Sequence, residues 1–235
     1  MYRSKKIGLV IPCYKVSNII NKVIKKIPRF IDKIYVVDDK CPENSVKKIK
    51  SKSKKIKKIY RNKNGGVGAA VKDGYKFSLK DKNHITVRID GDDQMDLKLI
   101  KNFIDPIINK EAEFVKGNRF MNLIFLTKMP FLRIIGNIFF SLIGNIITRN
   151  INFFDILNGY TSISNRALRK IIKVSLDDDF FFDTMLIYQL CRIKTKILDV
   201  PIKAKYKDEI SNINILKTGL SFVCKNLFFL LGIKK

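Results

Sequence analysis

Asp90-Gly91-Asp92-Asp93-Gln94 follows a short apolar segment, His84-Ile85-Thr86-Val87-Arg88-Ile89, and is the part of the chain best equipped for chemistry. Asp90, Asp92 and Gln94 alternate, so two carboxylates and an amide oxygen would leave the end of a buried strand together. Oxygen-only ligands at that spacing suit a hard divalent cation, Mg²⁺ or Mn²⁺, which keeps open positions for substrate phosphates. The cluster therefore predicts an enzyme that handles a diphosphate. A solvated acidic turn is the alternative reading of the pentapeptide alone.

The elements that must position this cluster follow from periodicity. Ile7-Gly8-Leu9-Val10-Ile11, ended by Pro12, is a continuous apolar run and predicts a buried parallel strand. Ile19, Ile20, Val23, Ile24 and Ile27 have helical spacing. Ile34-Tyr35-Val36-Val37 predicts a second strand ending at Asp38-Asp39, followed by a turn over 40–45 and a basic helix. Ile56 to Tyr60 predicts a third strand. Gly65-Gly66-Val67-Gly68 opens a helix to about Leu79, and Ile85 to Asp90 forms the fourth strand. Leu97 to Ile108 is helical, and Glu113 to Lys116 is a short fifth strand. Such alternation predicts an α/β fold built on a mainly parallel sheet. Ligands bind beyond the carboxyl ends of such strands, where the turns 12–15, 38–45 and 90–94 would converge.

The second half differs. Residues 123–147 are rich in Ile, Phe and Leu but broken by Thr127, Lys128, Arg133, Asn137, Ser141 and Asn145. That interruption excludes a spanning helix of about 20 apolar residues. It suits two amphipathic helices at a membrane surface, or helices packed on the protein's own core. Leu220 to Ile233 is again apolar, with Lys234-Lys235 after it, and suits interfacial anchoring.

The 235 residues carry a formal charge of +26, which favours anionic partners. The lysines of 47–58 alternate with isoleucines, as a solvated face would, and no zinc-finger, RNA-binding or stacking motif accompanies them, so nucleic acid is not the expected partner. Cys13, Cys41, Cys191 and Cys224 are scattered and predict no disulfide framework, which points to a reducing cytosol. The apolar stretch after the basic N-terminus is too short for a signal-peptide core.

Taken together, these segments resemble the family 2 glycosyltransferases of GT-A fold, and most of all the dolichol-phosphate-mannose-synthase-like branch that moves sugars onto polyprenyl phosphates. The resemblance spans roughly residues 6 to 206. It is carried by Val10-Ile11-Pro12-Cys13-Tyr14, Val36-Val37-Asp38-Asp39, Asn64-Gly65-Gly66-Val67-Gly68, Arg88-Ile89-Asp90-Gly91-Asp92-Asp93-Gln94, Val115-Lys116-Gly117-Asn118-Arg119 and Asp199-Val200-Pro201-Ile202. It implies a Rossmann-like GT-A domain over 1–210, with the amphipathic interface segment at 123–149, and an amphipathic tail over 211–235.

By the same resemblance, Pro12, Tyr14, Asp39, Gly66, Asp90 and Gly91 contact the donor nucleotide, a GDP- or UDP-sugar. Asp90, Asp92 and Gln94 hold Mg²⁺ or Mn²⁺, with Asp92 central to catalysis. Asp93 reaches a sugar hydroxyl or caps the next helix. Arg119 and Arg133 face the acceptor phosphate, a task that suits the planar arginine fork. An oxyanion acceptor needs no protein base; a hydroxyl of a growing glycan needs one, and Asp155 and Asp183 are the candidates. The chain departs from the family pattern at Lys15-Val16, Thr161 and Met185. The implied enzyme is a metal-dependent, inverting transferase, peripheral on the cytoplasmic face of an anionic membrane. A glycan-extending transferase and a non-catalytic nucleotide-sugar binder are the alternatives.

Overall fold

The computed structural model describes residues 1–126, 129–149, 154–203 and 215–230; the side chains of 123, 125, 132, 133, 215–219 and 230 lie outside that description. The strands are β1 (Ile7–Cys13), β2 (Lys33–Asp38), β3 (Ile56–Tyr60), β4 (Ile85–Arg88), β5 (Phe114–Asn118), β6 (Thr161–Ser164) and β7 (Ile197–Pro201). They form one sheet in the order β3-β2-β1-β4-β6-β5-β7. β6 runs antiparallel to β4 and β5, and the other pairings are parallel.

Both faces of the sheet are covered, as its continuous apolar strands require. Leu9 and Ile11 point to one face, under α1 (Ile20–Lys26) and α3 (Ile100–Ile108). Val10 points to the other, under α2 (Val67–Lys80), α5 (Asn165–Ile171) and α6 (Phe182–Arg192). The period-two alternation of β1 thus feeds two separate cores.

The basic helix expected after Ser45 is absent; 45–48 form turns. The Asn21 side chain binds the Lys48 carbonyl and the Lys50 N–H, each at 2.9 Å, satisfying backbone that a helix would otherwise pair. The pair of helices expected across 123–147 is instead a short 3-10 turn, Leu123–Leu126, and one helix, α4 (Phe131–Thr148). α7 (Ile215–Leu230) docks on it, with the Phe222 ring 4.9 Å from Phe140 and 5.0 Å from Phe181. Lys225 ties α7 to Asp177 and Asp179. The expected boundary at 210 lies outside the described residues. Among those residues, no helix is long and apolar enough to cross a membrane.

α4 is inverted relative to an ordinary surface helix. Asn137, Ser141 and Asn145 are buried, while Phe131, Ile135, Ile138, Phe139, Leu142 and Ile146 are exposed. The spacing of each set defines one stripe, and the apolar stripe faces outward. α7 repeats the pattern in part: Asn226 is buried against the Tyr188 hydroxyl at 2.6 Å, while Leu220, Leu227 and Phe228 are exposed.

Candidate active site

β1, β2 and β4 are parallel, so their carboxyl ends deliver Pro12–Lys15, Asp38–Ser45 and Asp90–Gln94 to one sheet edge. The loops interlock there. The Asp39 N–H bonds the Cys13 carbonyl at 3.2 Å, and the Val16 N–H bonds Ser45 Oγ at 3.0 Å. A Cβ on Gly91 would lie 3.4 Å from the Pro12 carbonyl oxygen, so the acidic turn packs directly on the end of β1. Tyr14 stands on the rim, 44% exposed.

Asp90, Asp92, Gln94 and Arg119 line one cavity of about 180 Å³, together with Asn158, Gly159 and Lys203. The cavity thus brings together the expected cation ligands and one expected phosphate ligand from β4 and β5, which flank β6. Asp92 Oδ1 accepts the Gln94 N–H at 3.0 Å, an Asx-type closure of the turn. Asp93, at φ 62°, pairs with Lys22 and Lys26 of α1. Burial opposes its charge, but the two lysines hold its pKa below the ordinary carboxylate value. Asp96 performs the capping, accepting the Lys98 N–H at 3.1 Å.

Two carboxylates considered as bases are engaged in buried arginine pairs. Asp155 is fully buried and accepts the Arg119 backbone N–H at 2.9 Å, Arg119 Nε at 2.8 Å and Arg119 Nη2 at 2.5 Å. Burial opposes its charge, yet the Arg119 guanidinium and these bonds keep its pKa below the ordinary value. Asp183 bonds Arg88 Nη1 beneath the sheet edge. Arg88 Nη2 also lies 3.4 Å from Asp90 Oδ1. Burial works against the Arg88 charge, but Asp183 and Asp90 keep its pKa above the ordinary arginine value. Gly159 makes this packing possible: a Cβ there would sit 2.9 Å from both Arg88 Nη2 and Asp90 Oδ2.

The Gly-rich turn is held by a carboxylate from the end of β2. Asp39 accepts the Gly65 N–H at 3.0 Å and the Gly66 N–H at 2.7 Å, and pairs with Arg61. Gly66 has φ +93°, and a Cβ there would lie 2.7 Å from the Asp178 carbonyl oxygen. Its close approach is therefore to the 177–179 loop. A base or ribose binding Asp39 would use the second lone pairs of its oxygens. The Arg133 side chain lies outside the described residues.

Sequence reasoning missed the buried supports. Arg88 is the one charged residue of β4, and Lys116 the one charged residue of β5. Lys116 bonds the Phe154 carbonyl and Asp199, and Asn118 Nδ2 bonds Asp199 at 2.6 Å. A charge in an otherwise uncharged strand was the available signal.

Among the described residues, no three His, Cys, Asp or Glu side chains converge as a metal cage. The donor set of Asp90, Asp92 and Gln94 fits a hard cation that brings a diphosphate to complete its shell.

The same architecture occurs in glucosyl-3-phosphoglycerate synthase of Mycobacterium tuberculosis. Its complex with Mn²⁺, UDP and phosphoglyceric acid aligns with a TM-score of 0.73 at 13% identity, covering 99% of this chain and 80% of that one. A complex of that enzyme with Mg²⁺ and UDP aligns at a TM-score of 0.70, with 13% identity over 99% of this chain and 81% of that one. The fold is GT-A. Residues 9–172 match glycosyl transferase family 2, and the chain belongs to that family. It is 27% identical over 220 residues to the UDP-N-acetylglucosamine–dolichyl-phosphate N-acetylglucosaminyltransferase of Methanococcus voltae, covering 87% of each chain. The protein is a glycosyltransferase that uses a nucleotide-sugar donor.

Proposed function

We propose that this enzyme transfers a sugar, with inversion, from a GDP- or UDP-sugar to a polyprenyl phosphate at the cytoplasmic surface of a membrane. The observation that carries the reading is the shared cavity of Asp90, Asp92, Gln94 and Arg119. Asp90, Asp92 and Gln94 would hold Mg²⁺ or Mn²⁺ against the donor diphosphate, supplying charge neutralisation as the sugar–phosphate bond breaks. Arg119, oriented by Asp155, presents a cation on the same cavity for an acceptor phosphate. Asp92 lines this space from the turn, and Pro12, Tyr14, Asp39, Gly66 and Gly91 would contact the donor nucleotide.

A phosphate acceptor also agrees with the state of Asp155 and Asp183. Each is buried and bound to arginine, a poor arrangement for taking a proton from a sugar hydroxyl. A lipid phosphate is already an oxyanion. The relative from Methanococcus voltae, named for a dolichyl-phosphate acceptor, supports the same class. The outward apolar stripes of α4 and α7 suit a lipid surface, and the charge of +26 suits anionic headgroups.

The test is transfer from a panel of GDP- and UDP-sugars to a short-chain polyprenyl phosphate and to a neutral sugar acceptor, with Mn²⁺ and with EDTA. Metal-dependent transfer to the lipid phosphate is expected. Transfer confined to the neutral acceptor, or unchanged in EDTA, refutes the reading.

A further inference from the structure

The 177–179 loop joins the last helix to the Gly-rich turn. On one side, Lys225 of α7 holds Asp177 at 2.8 Å and Asp179 at 2.5 Å. Burial works against the Lys225 charge, but the two carboxylates keep its pKa above the ordinary lysine value. On the other side, the Asp178 carbonyl accepts the Ala69 N–H at 2.9 Å. A helix leaves its first N–H groups without partners in its own backbone, and Ala69 stands in the first turn of α2. A Cβ on Gly66 or Gly68 would lie within 2.7 Å of a carbonyl oxygen of this loop, so loop and turn meet backbone to backbone.

Lys225 thus bridges the two carboxylates that flank Asp178, the residue whose carbonyl meets Ala69. Three adjacent carboxylates repel one another, and Lys225, with Lys72 on Asp178, offsets that repulsion in the observed placement. The turn is held from its other side by Asp39, which accepts the Gly65 and Gly66 N–H groups. The Gly65–Gly68 turn is therefore clamped between a carboxylate at the end of β2 and a loop that α7 secures. Its placement sets how closely its backbone approaches a nucleotide at the sheet edge. Loosening one clamp would change donor affinity without removing any group that touches the donor.

We propose that Lys225 is a positioning residue for donor binding: through Asp177 and Asp179 it seats the 177–179 loop against the Gly65–Gly68 turn. The inference rests on the assignment of Gly66 to the donor nucleotide, made above, and adds a role for α7 in holding it.

Lys225→Met keeps the aliphatic stem and removes the charge. Phe222 still packs on Phe140 and Phe181, so α7 is expected to stay docked. Hydrogen exchange of the Ala69 amide, followed by NMR, should accelerate about ten-fold, while the β1 amides keep parental rates. The Kd for UDP or GDP with Mn²⁺, measured by calorimetry, should rise about three- to ten-fold for whichever nucleotide the parent binds. Lys225→Arg retains the charge and several donors, and should restore both readings. Asp177→Asn, a change on the loop itself, should reproduce them in part and serves where Lys225→Met does not fold. Gly68→Ala presses a Cβ onto the loop, so its effect on Kd should combine less than additively with that of Lys225→Met.

Parental Ala69 exchange after removal of the charge overturns the inference and leaves Lys225 as an anchor for α7 alone. So does a loosened Ala69 amide with parental nucleotide affinity, in which case the donor assignment stands and the clamp does not serve it. Full additivity with Gly68→Ala, or failure of Lys225→Arg to restore either reading, overturns it as well. If the parent binds neither nucleotide, the donor assignment itself fails, and this inference with it.

Discussion

Asp155→Asn distinguishes a carboxylate that holds the site together from one that abstracts a proton. Asp155 is fully buried and takes three hydrogen bonds from Arg119, with Asn158 Nδ2 a further donor at 3.2 Å. Asparagine keeps one carbonyl oxygen but sets an NH₂ donor against the guanidinium donors. Two charge-assisted bonds at about 1.5–3 kcal/mol each are at stake, and breaking a buried pair costs about 3–5 kcal/mol. For a chain of this size that corresponds to a fall in Tm of about 6–20 °C. Circular dichroism melting at pH 7 reads it directly. The sign with pH also follows. Because Arg119 holds the Asp155 pKa below its unfolded value, the stabilisation is complete above about pH 4 and is lost as pH falls through the folded value. The Tm gap between parent and variant should therefore narrow in acid. A variant that melts within about 2 °C of the parent at pH 7, yet loses transfer to a hydroxyl acceptor, would identify Asp155 as a general base and refute the reasoning.

Further expectations concern the cavity and the helix surface. Asp92→Asn should abolish transfer and the Mn²⁺-dependent part of nucleotide binding, measured by calorimetry with and without EDTA, while leaving the melt unchanged; near-normal turnover in EDTA refutes it. Gly159→Ala pushes a Cβ to 2.9 Å from Arg88 Nη2 and Asp90 Oδ2, so donor binding should weaken, with an overpacking cost of about 1–3 kcal/mol. An alanine variant with parental nucleotide affinity would show that Asp90 tolerates displacement. Leu142→Glu, on the exposed stripe of α4, should reduce sedimentation with anionic liposomes and leave Tm unchanged within about 2 °C. A destabilised variant with parental liposome binding would instead assign the stripe to packing.

Much of the sheet edge was legible because its signals are local. Apolar runs ended by Pro12, by Asp38-Asp39 and by Asp90-Gly91 mark strand and turn without reference to the rest of the chain. The right-hand part of the sheet was harder. β6 is Thr161-Ser162-Ile163-Ser164, four residues with one aliphatic side chain, and only its insertion between β4 and β5 makes it a strand. Asp90, Asp92 and Gln94 could be read from spacing. Their supports could not: Arg88 meets Asp183 from 95 residues away, and Lys116 meets Asp199 from 83. Such pairs depend on tertiary placement, which a single sequence does not encode in any window.

α4 shows the same limit in a more consequential form. Periodicity separates its residues into an apolar stripe and a narrow polar stripe, but it is symmetric with respect to which stripe faces inward. In water the apolar stripe normally turns to the core. Here α6 and Ile156 already fill that side: a Cβ on Gly144 would lie 3.2 Å from Ile156 Cδ1 and 3.5 Å from the Tyr188 ring and hydroxyl. Little room is left at Gly144, and the small Ser141, Gly144 and Asn145 face inward beside Phe140 and Ile147, while the bulky Phe131, Ile138, Phe139, Leu142 and Ile146 are exposed. Exposing that stripe to water forfeits the burial that usually secures a helix, at about 25 cal/mol per Å². A lipid surface restores that burial without reversing the helix.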